Sequence, residues 1–190
     1  DVPPSASAPR FPVILFSHGL GTLAQNYTAF LENLASQGYI VVGVDHSYYS
    51  APFTLPSGRS VHNLSSNADR QRHVGAQAQD LSSVVNALEL LNEPATSART
   101  ILAGRMDLSR LGVFGHSRGG FAAPHACRRD PRFKACANLD GYSMTPAVMD
   151  SGITQPFMLV EEISPWLPLP TDSQIAAVNW TRAQADSSAR

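Results

Sequence analysis

Apolar residues occur along this chain in two patterns, short continuous runs and longer segments with helical spacing. Continuous runs are typical of strands that are buried on both faces of a parallel sheet. Five segments fit this description: 12–21, which ends in a Gly-rich turn, 39–46, 111–115, 135–140 and 156–161. The chain therefore predicts a sheet of five strands.

Helices are predicted between most of these runs. Apolar side chains recur every three or four residues from Val74 to Leu91, which indicates an amphipathic helix that ends before Pro94. The full set of predicted helices is Tyr27–Leu34, residues 69–92, Ser117–Cys127 and Gln174–Ala185. The polar, proline-containing stretch 47–67 is long enough to be a functional loop.

The predicted element order is β-α-β-α-β-α-β-β-α. Alternation of this kind indicates an α/β fold with a mostly parallel sheet, right-handed crossovers and helices on both faces. With 190 residues, 43% of them hydrophobic, one domain is expected, consisting of a Pro/Ser-rich leader at 1–10 and a core at 11–190.

The segment LGVFGHSRGGF at 111–121 contains a G-x-S-x-G motif directly after a predicted strand. A sharp strand-to-helix turn with this composition exposes a serine hydroxyl at its apex. Gly115 and Gly119 have no Cβ, so the backbone can turn tightly and the helix can lie close to the strand. Ser117 is therefore a candidate nucleophile.

The partners of such a serine are expected at the carboxyl ends of neighbouring parallel strands. The oxyanion donors are predicted to be the main-chain N–H groups of Arg118 and of Leu20 in the HGLG turn. Asp140 ends the next strand in the sequence and is the preferred acid, while Glu161 and Glu162 end the following strand and remain alternatives.

The general base is missing from the expected position. In this chain order a histidine follows the acid, but the last histidine in the sequence is His125. His18 is expected to orient its own turn, and structural roles are expected for the other five: His46, His62, His73, His116 and His125. The catalytic histidine is therefore expected beyond Arg190.

Composition narrows the range of partners. A net charge of -1 with only 15% charged residues gives no basic face for nucleic acid. No run approaches the roughly 20 apolar residues of a membrane-spanning helix.

Three N-x-[ST] sites favour secretion, with a cytoplasmic location as the alternative. The two cysteines, Cys127 and Cys136, are expected to form either a disulfide or two buried thiols.

A Pro-rich segment, SPWLPLP, follows the last predicted strand. Its apolar side chains are Trp166, Leu167 and Leu169, and apolar side chains beside a site often bind an apolar ligand. They are expected either to border an acyl pocket or to pack against a segment outside the chain.

The motifs FPVILFSHGLG, GHSRGG and NLDG, in this order, resemble the α/β-hydrolase superfamily. Within it, residues 11–162 resemble the plasma-type platelet-activating-factor acetylhydrolases and their bacterial and fungal relatives. GHSRGG is also similar to chlorophyllase, and cutinase relatives share the architecture.

The resemblance implies a serine esterase without metal or organic cofactor, with Ser117 as nucleophile, Asp140 as acid and the amides of Leu20 and Arg118 as oxyanion hole. Its substrate would be a small-molecule or lipid ester, such as a short-chain acyl ester of phospholipid type, with possible contact to a lipid surface. Family members have further strands before the HGLG strand and a histidine-bearing strand at the end, so the fold is expected to be incomplete at both ends. The alternative is a non-catalytic binding protein with the same fold.

Overall fold

A computed structural model of the protein describes residues 10–63, 70–93, 100–141 and 146–161. The strands are β1 (Phe11–Ser17), β2 (Ile40–Val44), β3 (Phe53–Thr54), β4 (Ser60–Val61), β5 (Met106–His116), β6 (Phe133–Leu139) and β7 (Phe157–Val160). The helices are α1 (Thr28–Ser36), α2 (Arg70–Leu91), α3 (Arg118–Arg129) and α4 (Pro146–Ser151), and a 3-10 turn (Ala24–Tyr27) precedes α1.

Five strands form one parallel sheet in the order β2-β1-β5-β6-β7. The order places β1 and β5 side by side at the centre, with Ser17 opposite Gly115 in the register. The carboxyl ends of these two strands are therefore adjacent. β1 leads into the HGLG turn, and β5 leads into the G-x-S-x-G turn that contains Ser117.

The main core lies between the sheet and helices α2 and α3. Its side chains come from the strands and from the apolar stripe of α2, and they include Val13, Leu15, Leu81, Val85 and Phe133, all of them fully buried. The buried side chains of α2 recur every three or four residues, as the sequence predicted. Removal of this apolar surface from water is the largest stabilising contribution to the fold.

The opposite face of the sheet is covered by α1. Phe16, Phe114 and Ala137 form a smaller apolar cluster there, with Leu31 and Leu34 of α1 packed against it. Beyond α1, a groove of about 440 Å³ runs along the same face toward β7 and is lined by apolar side chains. Helices thus lie on both faces, as the sequence predicted.

Three short elements were not predicted from the sequence. Helix α4 lies between β6 and β7, where a direct strand-to-strand connection was expected. Six residues are too few for helical periodicity to stand out. The stretch 47–67 contains the two-stranded antiparallel ladder of β3 and β4. The predicted helix Gln174–Ala185 lies outside the described residues.

Cys127 and Cys136 form a disulfide, which decides between the two alternatives that the sequence left open. The bond joins α3 to β6, and the two Cα atoms are 6.4 Å apart. It closes a short loop of the chain immediately behind the helix that follows Ser117.

Candidate active site

Ser117 occupies a sharp turn between the end of β5 and the start of α3. Its φ is 52° and its ψ is -116°, a conformation that residues with a side chain rarely adopt. Strained backbone of this kind persists only when the surrounding structure holds it, and it is concentrated at functional sites. The main-chain N–H of Ser117 donates to the carbonyl of Leu139 at 2.8 Å, which ties the turn to the end of β6.

Three glycines make the turn possible because their neighbours leave no room for a methyl group. A Cβ on Gly115 would lie 2.2 Å from the carbonyl carbon of Gly119, and a Cβ on Gly119 would lie 2.0 Å from the carbonyl oxygen of Ser17. A Cβ on Gly120 would lie 2.2 Å from Oδ1 of Asn138. The G-x-S-x-G-G pattern is therefore required by close contacts with main-chain atoms at Gly115 and Gly119 and with the buried side chain of Asn138 at Gly120.

The turn after β1 lies against this elbow. A Cβ on Gly19 would be 3.5 Å from Cβ of Ser117. The carbonyl of Gly19 accepts hydrogen bonds from Nδ1 of His18 at 2.7 Å and from Oγ1 of Thr22 at 2.9 Å. The same peptide plane carries the N–H of Leu20, which points opposite to that carbonyl because the peptide is trans. Two side chains thus hold the orientation of the Leu20 amide.

Tyr27 links the turn to the elbow. Its hydroxyl accepts the N–H of Gly19 at 3.3 Å and lies 2.9 Å from Nδ1 of His116. Which of the two atoms donates depends on the tautomer of His116, because the tyrosine hydroxyl can both donate and accept. The ring packs on Phe16, with centroids 4.6 Å apart. One side chain therefore connects the residue before Ser117 with the turn that carries Leu20.

Asp140 lies in a tight turn directly after β6, with a positive φ of 55°. The side chain of the fully buried Asn138 holds this turn at both ends of Gly141. Its Oδ1 accepts the N–H of Gly141 at 2.8 Å, and its Nδ2 donates to the carbonyl of Gly141 at 3.1 Å. The NLDG motif thus presents an aspartate at the carboxyl end of the strand next to β5.

Glu161 follows β7, one strand further from the elbow. Burial raises the pKa of its carboxyl above the ordinary value, and the charge of Asp140 raises it further. The two acids are close enough to influence each other, and the main-chain N–H of Asp140 donates to the carbonyl of Val160 at 2.6 Å. Asp140 is nearer to the elbow along the sheet, because β6 lies between β5 and β7.

His18 and His46, two of the three histidines buried in the described part of the chain, have hydrogen-bond partners on both ring nitrogens. Nε2 of His18 is 2.8 Å from Oγ of Ser50, and its Nδ1 donates to Gly19 as described. His46 lies 2.9 Å from Oγ of Ser17 through Nε2 and 2.8 Å from Oδ2 of Asp80 through Nδ1. Neither imidazole presents a nitrogen to Ser117. Burial lowers the pKa of His18, so this imidazole is neutral at pH 7.

The other histidines lie away from a base position. His62 is exposed beside β4, and the ring of His73 packs on Tyr49 with centroids 4.8 Å apart. His125 lies on α3, where burial and the nearby arginines lower its pKa.

Some of the residues that the sequence suggested for the site cannot be compared with the structure. Four of them lie outside the described residues: Glu162, Trp166, Leu167 and Leu169. Conversely, Thr22, Tyr27, Asn138 and Asp80 take part in the site or its support and were not singled out. Only Asn138 had a local signal, its position in the NLDG motif. Within the described ranges, no group of three or more His, Cys, Asp or Glu side chains could hold a metal ion.

A central parallel sheet, a serine elbow after the middle strand and a glycine-rich turn after the neighbouring strand together define the α/β-hydrolase fold. A solved structure of a ferulic acid esterase from Streptomyces cinnamoneus has the same fold, with a TM-score of 0.73 and 35% identity over 92% of this chain and 48% of that one. In the described part of the chain, no helix is long and apolar enough to cross a membrane.

Residues 4–164 match the family described as platelet-activating factor acetylhydrolase, isoform II, and the chain belongs to this family. The platelet-activating factor acetylhydrolase of Cavia porcellus is 30% identical over 83% of the chain, and that of Gallus gallus 25% identical over 80%. The chain spans 41% and 44% of the lengths of these two relatives.

Proposed function

We propose that the protein is a serine ester hydrolase in which Ser117 forms an acyl-enzyme. The observation that carries the proposal is the strained elbow, which costs free energy and is made possible by three glycines that tolerate no side chain. An elbow of this geometry beside a glycine turn is the arrangement that exposes a nucleophile to an ester carbonyl.

In the proposed first step, Oγ of Ser117 bonds to the ester carbonyl carbon while a general base takes the hydroxyl proton. The carbonyl oxygen becomes an oxyanion and accepts hydrogen bonds from the amides of Leu20 and Arg118. Collapse of this intermediate breaks the bond to the alcohol, which leaves with the proton. Water then releases the acid and regenerates Ser117 by the same steps.

We assign the acid of the site to Asp140, because Ser117 is hydrogen-bonded to the residue before it and Asn138 fixes its turn. A charged carboxylate would orient the base and stabilise its protonated form. His18 and His46 would not serve as this base, because both ring nitrogens of each have other hydrogen-bond partners.

For the substrate we propose a carboxylic ester with a short acyl group, of phospholipid type or a related small-molecule ester. The acetylhydrolase relatives support the short acyl group, and the ferulic acid esterase supports the carboxylic ester class in general. Trp166, Leu167 and Leu169 would border the acyl pocket. The disulfide between Cys127 and Cys136 supports secretion, because disulfides persist in oxidising compartments.

The test is hydrolysis of p-nitrophenyl acetate by the protein. Ser117→Ala should abolish turnover, and Asp140→Asn should lower kcat by about 10⁴-fold, since the base then loses its correct tautomer. Glu161→Gln is the matched control, a neutralised carboxylate one strand further away, and it should retain most activity.

The reverse ranking of Asp140→Asn and Glu161→Gln would place the acid on β7. The competing function, a non-catalytic binding protein with the same fold, predicts no turnover in the unmodified protein and no dependence on Ser117. Binding of an ester without hydrolysis would support it.

A further inference from the structure

A cluster of polar side chains is buried beneath the turn that follows β1. Ser17, His18 and His46 are fully buried, and Ser50 is 1% exposed. Burial of polar groups is unfavourable unless each one finds a hydrogen-bond partner. The cluster satisfies its groups internally, and its longest connection runs from Ser17 through His46 to Asp80 on α2.

The direction of each bond in this connection follows from its chemistry. The carboxylate of Asp80 can only accept, so Nδ1 of His46 donates to it at 2.8 Å. In a neutral imidazole Nε2 is then the acceptor, and it accepts the hydroxyl proton of Ser17 at 2.9 Å. The order of bonds is that of a Ser-His-Asp triad. Since Ser17 is fully buried, however, no substrate can reach it, and this is not a second active site.

Ser17 stands at the junction of both halves of the proposed oxyanion hole. As the last residue of β1, it is followed by the turn that carries the Leu20 amide. Its carbonyl oxygen also lies against Gly119, where a Cβ would approach to 2.0 Å, in the first turn of the helix that begins at Arg118. A shift of Ser17 would change the spacing between the two amides.

We propose that Asp80, His46 and Ser17 are positioning residues that hold the end of β1 against the elbow and so set the spacing of the oxyanion donors. Two further contacts attach the network to its surroundings: Oγ of Ser50 lies 2.8 Å from the carbonyl oxygen of His46, and the main-chain N–H of His46 lies 3.4 Å from Nε2 of His18. The proposal rests on the proposed function. Its specific consequence is that Asp80 on α2 affects stabilisation of the transition state through His46 and Ser17, without contacting the substrate.

The test compares Ser17→Ala and Asp80→Asn with the unmodified protein. The kcat per active serine, with active serine counted by titration with a fluorophosphonate, should fall about tenfold in Ser17→Ala, because small displacements of catalytic groups cost one to two orders of magnitude in rate. Asp80→Asn should change kcat in the same direction by less. KM should stay within about twofold, because the network stabilises the transition state and not the bound substrate.

Matched controls remove one hydroxyl and one charge elsewhere. Ser83→Ala deletes an exposed hydroxyl that donates to the carbonyl of Gln79 on α2, and Asp107→Asn neutralises a carboxylate near the start of β5. Both should leave kcat unchanged. A low-field proton NMR signal from Nδ1–H of His46 should be present in the unmodified protein, absent in His46→Gln and shifted upfield in Asp80→Asn.

Because Asp80 is 45% exposed, Asp80→Asn should fold even if Ser17→Ala does not. An unchanged kcat per active serine in both variants would overturn the proposal, as would a fall in turnover explained entirely by fewer titratable serines. If the unmodified protein neither hydrolyses esters nor reacts with the fluorophosphonate, the proposed function fails, and this proposal fails with it. If it does both and the variants match it, only this proposal fails.

Discussion

Replacement of Gly119 by alanine places one methyl group at the most crowded point of the elbow. The added Cβ would lie 2.0 Å from the carbonyl oxygen of Ser17, whereas ordinary contacts begin at 3.4 Å. The separation is therefore short by 3.4 - 2.0 = 1.4 Å. The opposing atom is main chain in a central strand, so the strain cannot be relieved by a side-chain rotation.

Relief of this overlap requires α3 and β1 to separate by more than 1 Å at the point where both oxyanion amides originate. A displacement of that size should lower kcat/KM for an ester by about a hundredfold. Overpacking should also lower the free energy of unfolding by about 1–3 kcal/mol. We expect the loss of activity to exceed what the unfolded fraction explains, measured as kcat per phosphonate-titrated serine alongside urea denaturation.

Gly75→Ala is the matched control because it makes the same chemical change inside a helix. Apart from its chain neighbours and the backbone of its own helix, nothing lies within 4 Å of the position of its added Cβ. Alanine in a helix interior is more favourable than glycine by roughly 0.5–1 kcal/mol, so this variant should be slightly more stable and fully active. Wild-type activity and stability in Gly119→Ala would refute the close-contact reasoning for the elbow.

Three further predictions concern the surroundings of the site. Tyr27→Phe keeps the ring but removes the hydroxyl that joins the turn to His116, so kcat should fall about tenfold with KM little changed; an unchanged kcat would contradict this. Asn138→Ala removes both side-chain hydrogen bonds to the main chain of Gly141, so it should lower both the activity and the free energy of unfolding measured in urea. Full activity would show that the turn keeps its conformation without these bonds. Because burial lowers the pKa of His18, the unfolded chain binds its proton near the ordinary value of 6.5 while the folded chain does not. Stability should thus decrease as the pH falls below about 6.5, and less so in His18→Asn; equal pH slopes in urea titrations would argue against it.

Much of the fold could be predicted from the sequence because its strands are buried on both faces. The continuous apolar runs located all five strands of the parallel sheet, and the stripe from Val74 to Leu91 located α2. Helix α4 and the β3–β4 ladder were not predicted, since six-residue and two-residue elements give no periodic signal.

Candidate site residues could be proposed from the sequence only where a local motif exists. Ser117 and Asp140 stand out because a glycine-flanked serine and an aspartate follow apolar runs. Tyr27 and Asp80 make contacts that join positions far apart in the chain, 89 residues apart for Tyr27 and His116 and 34 for His46 and Asp80. Sequence spacing carries no signal for such contacts.

The identity of the nucleophile is the central claim, and peptide mapping after reaction with a fluorophosphonate tests it most directly. The reagent phosphonylates an activated serine and adds a known mass. We predict a single adduct on the peptide that contains Ser117, and none in Ser117→Ala. An adduct on another serine with Ser117 unmodified, or ester turnover that survives in Ser117→Ala, would contradict the account.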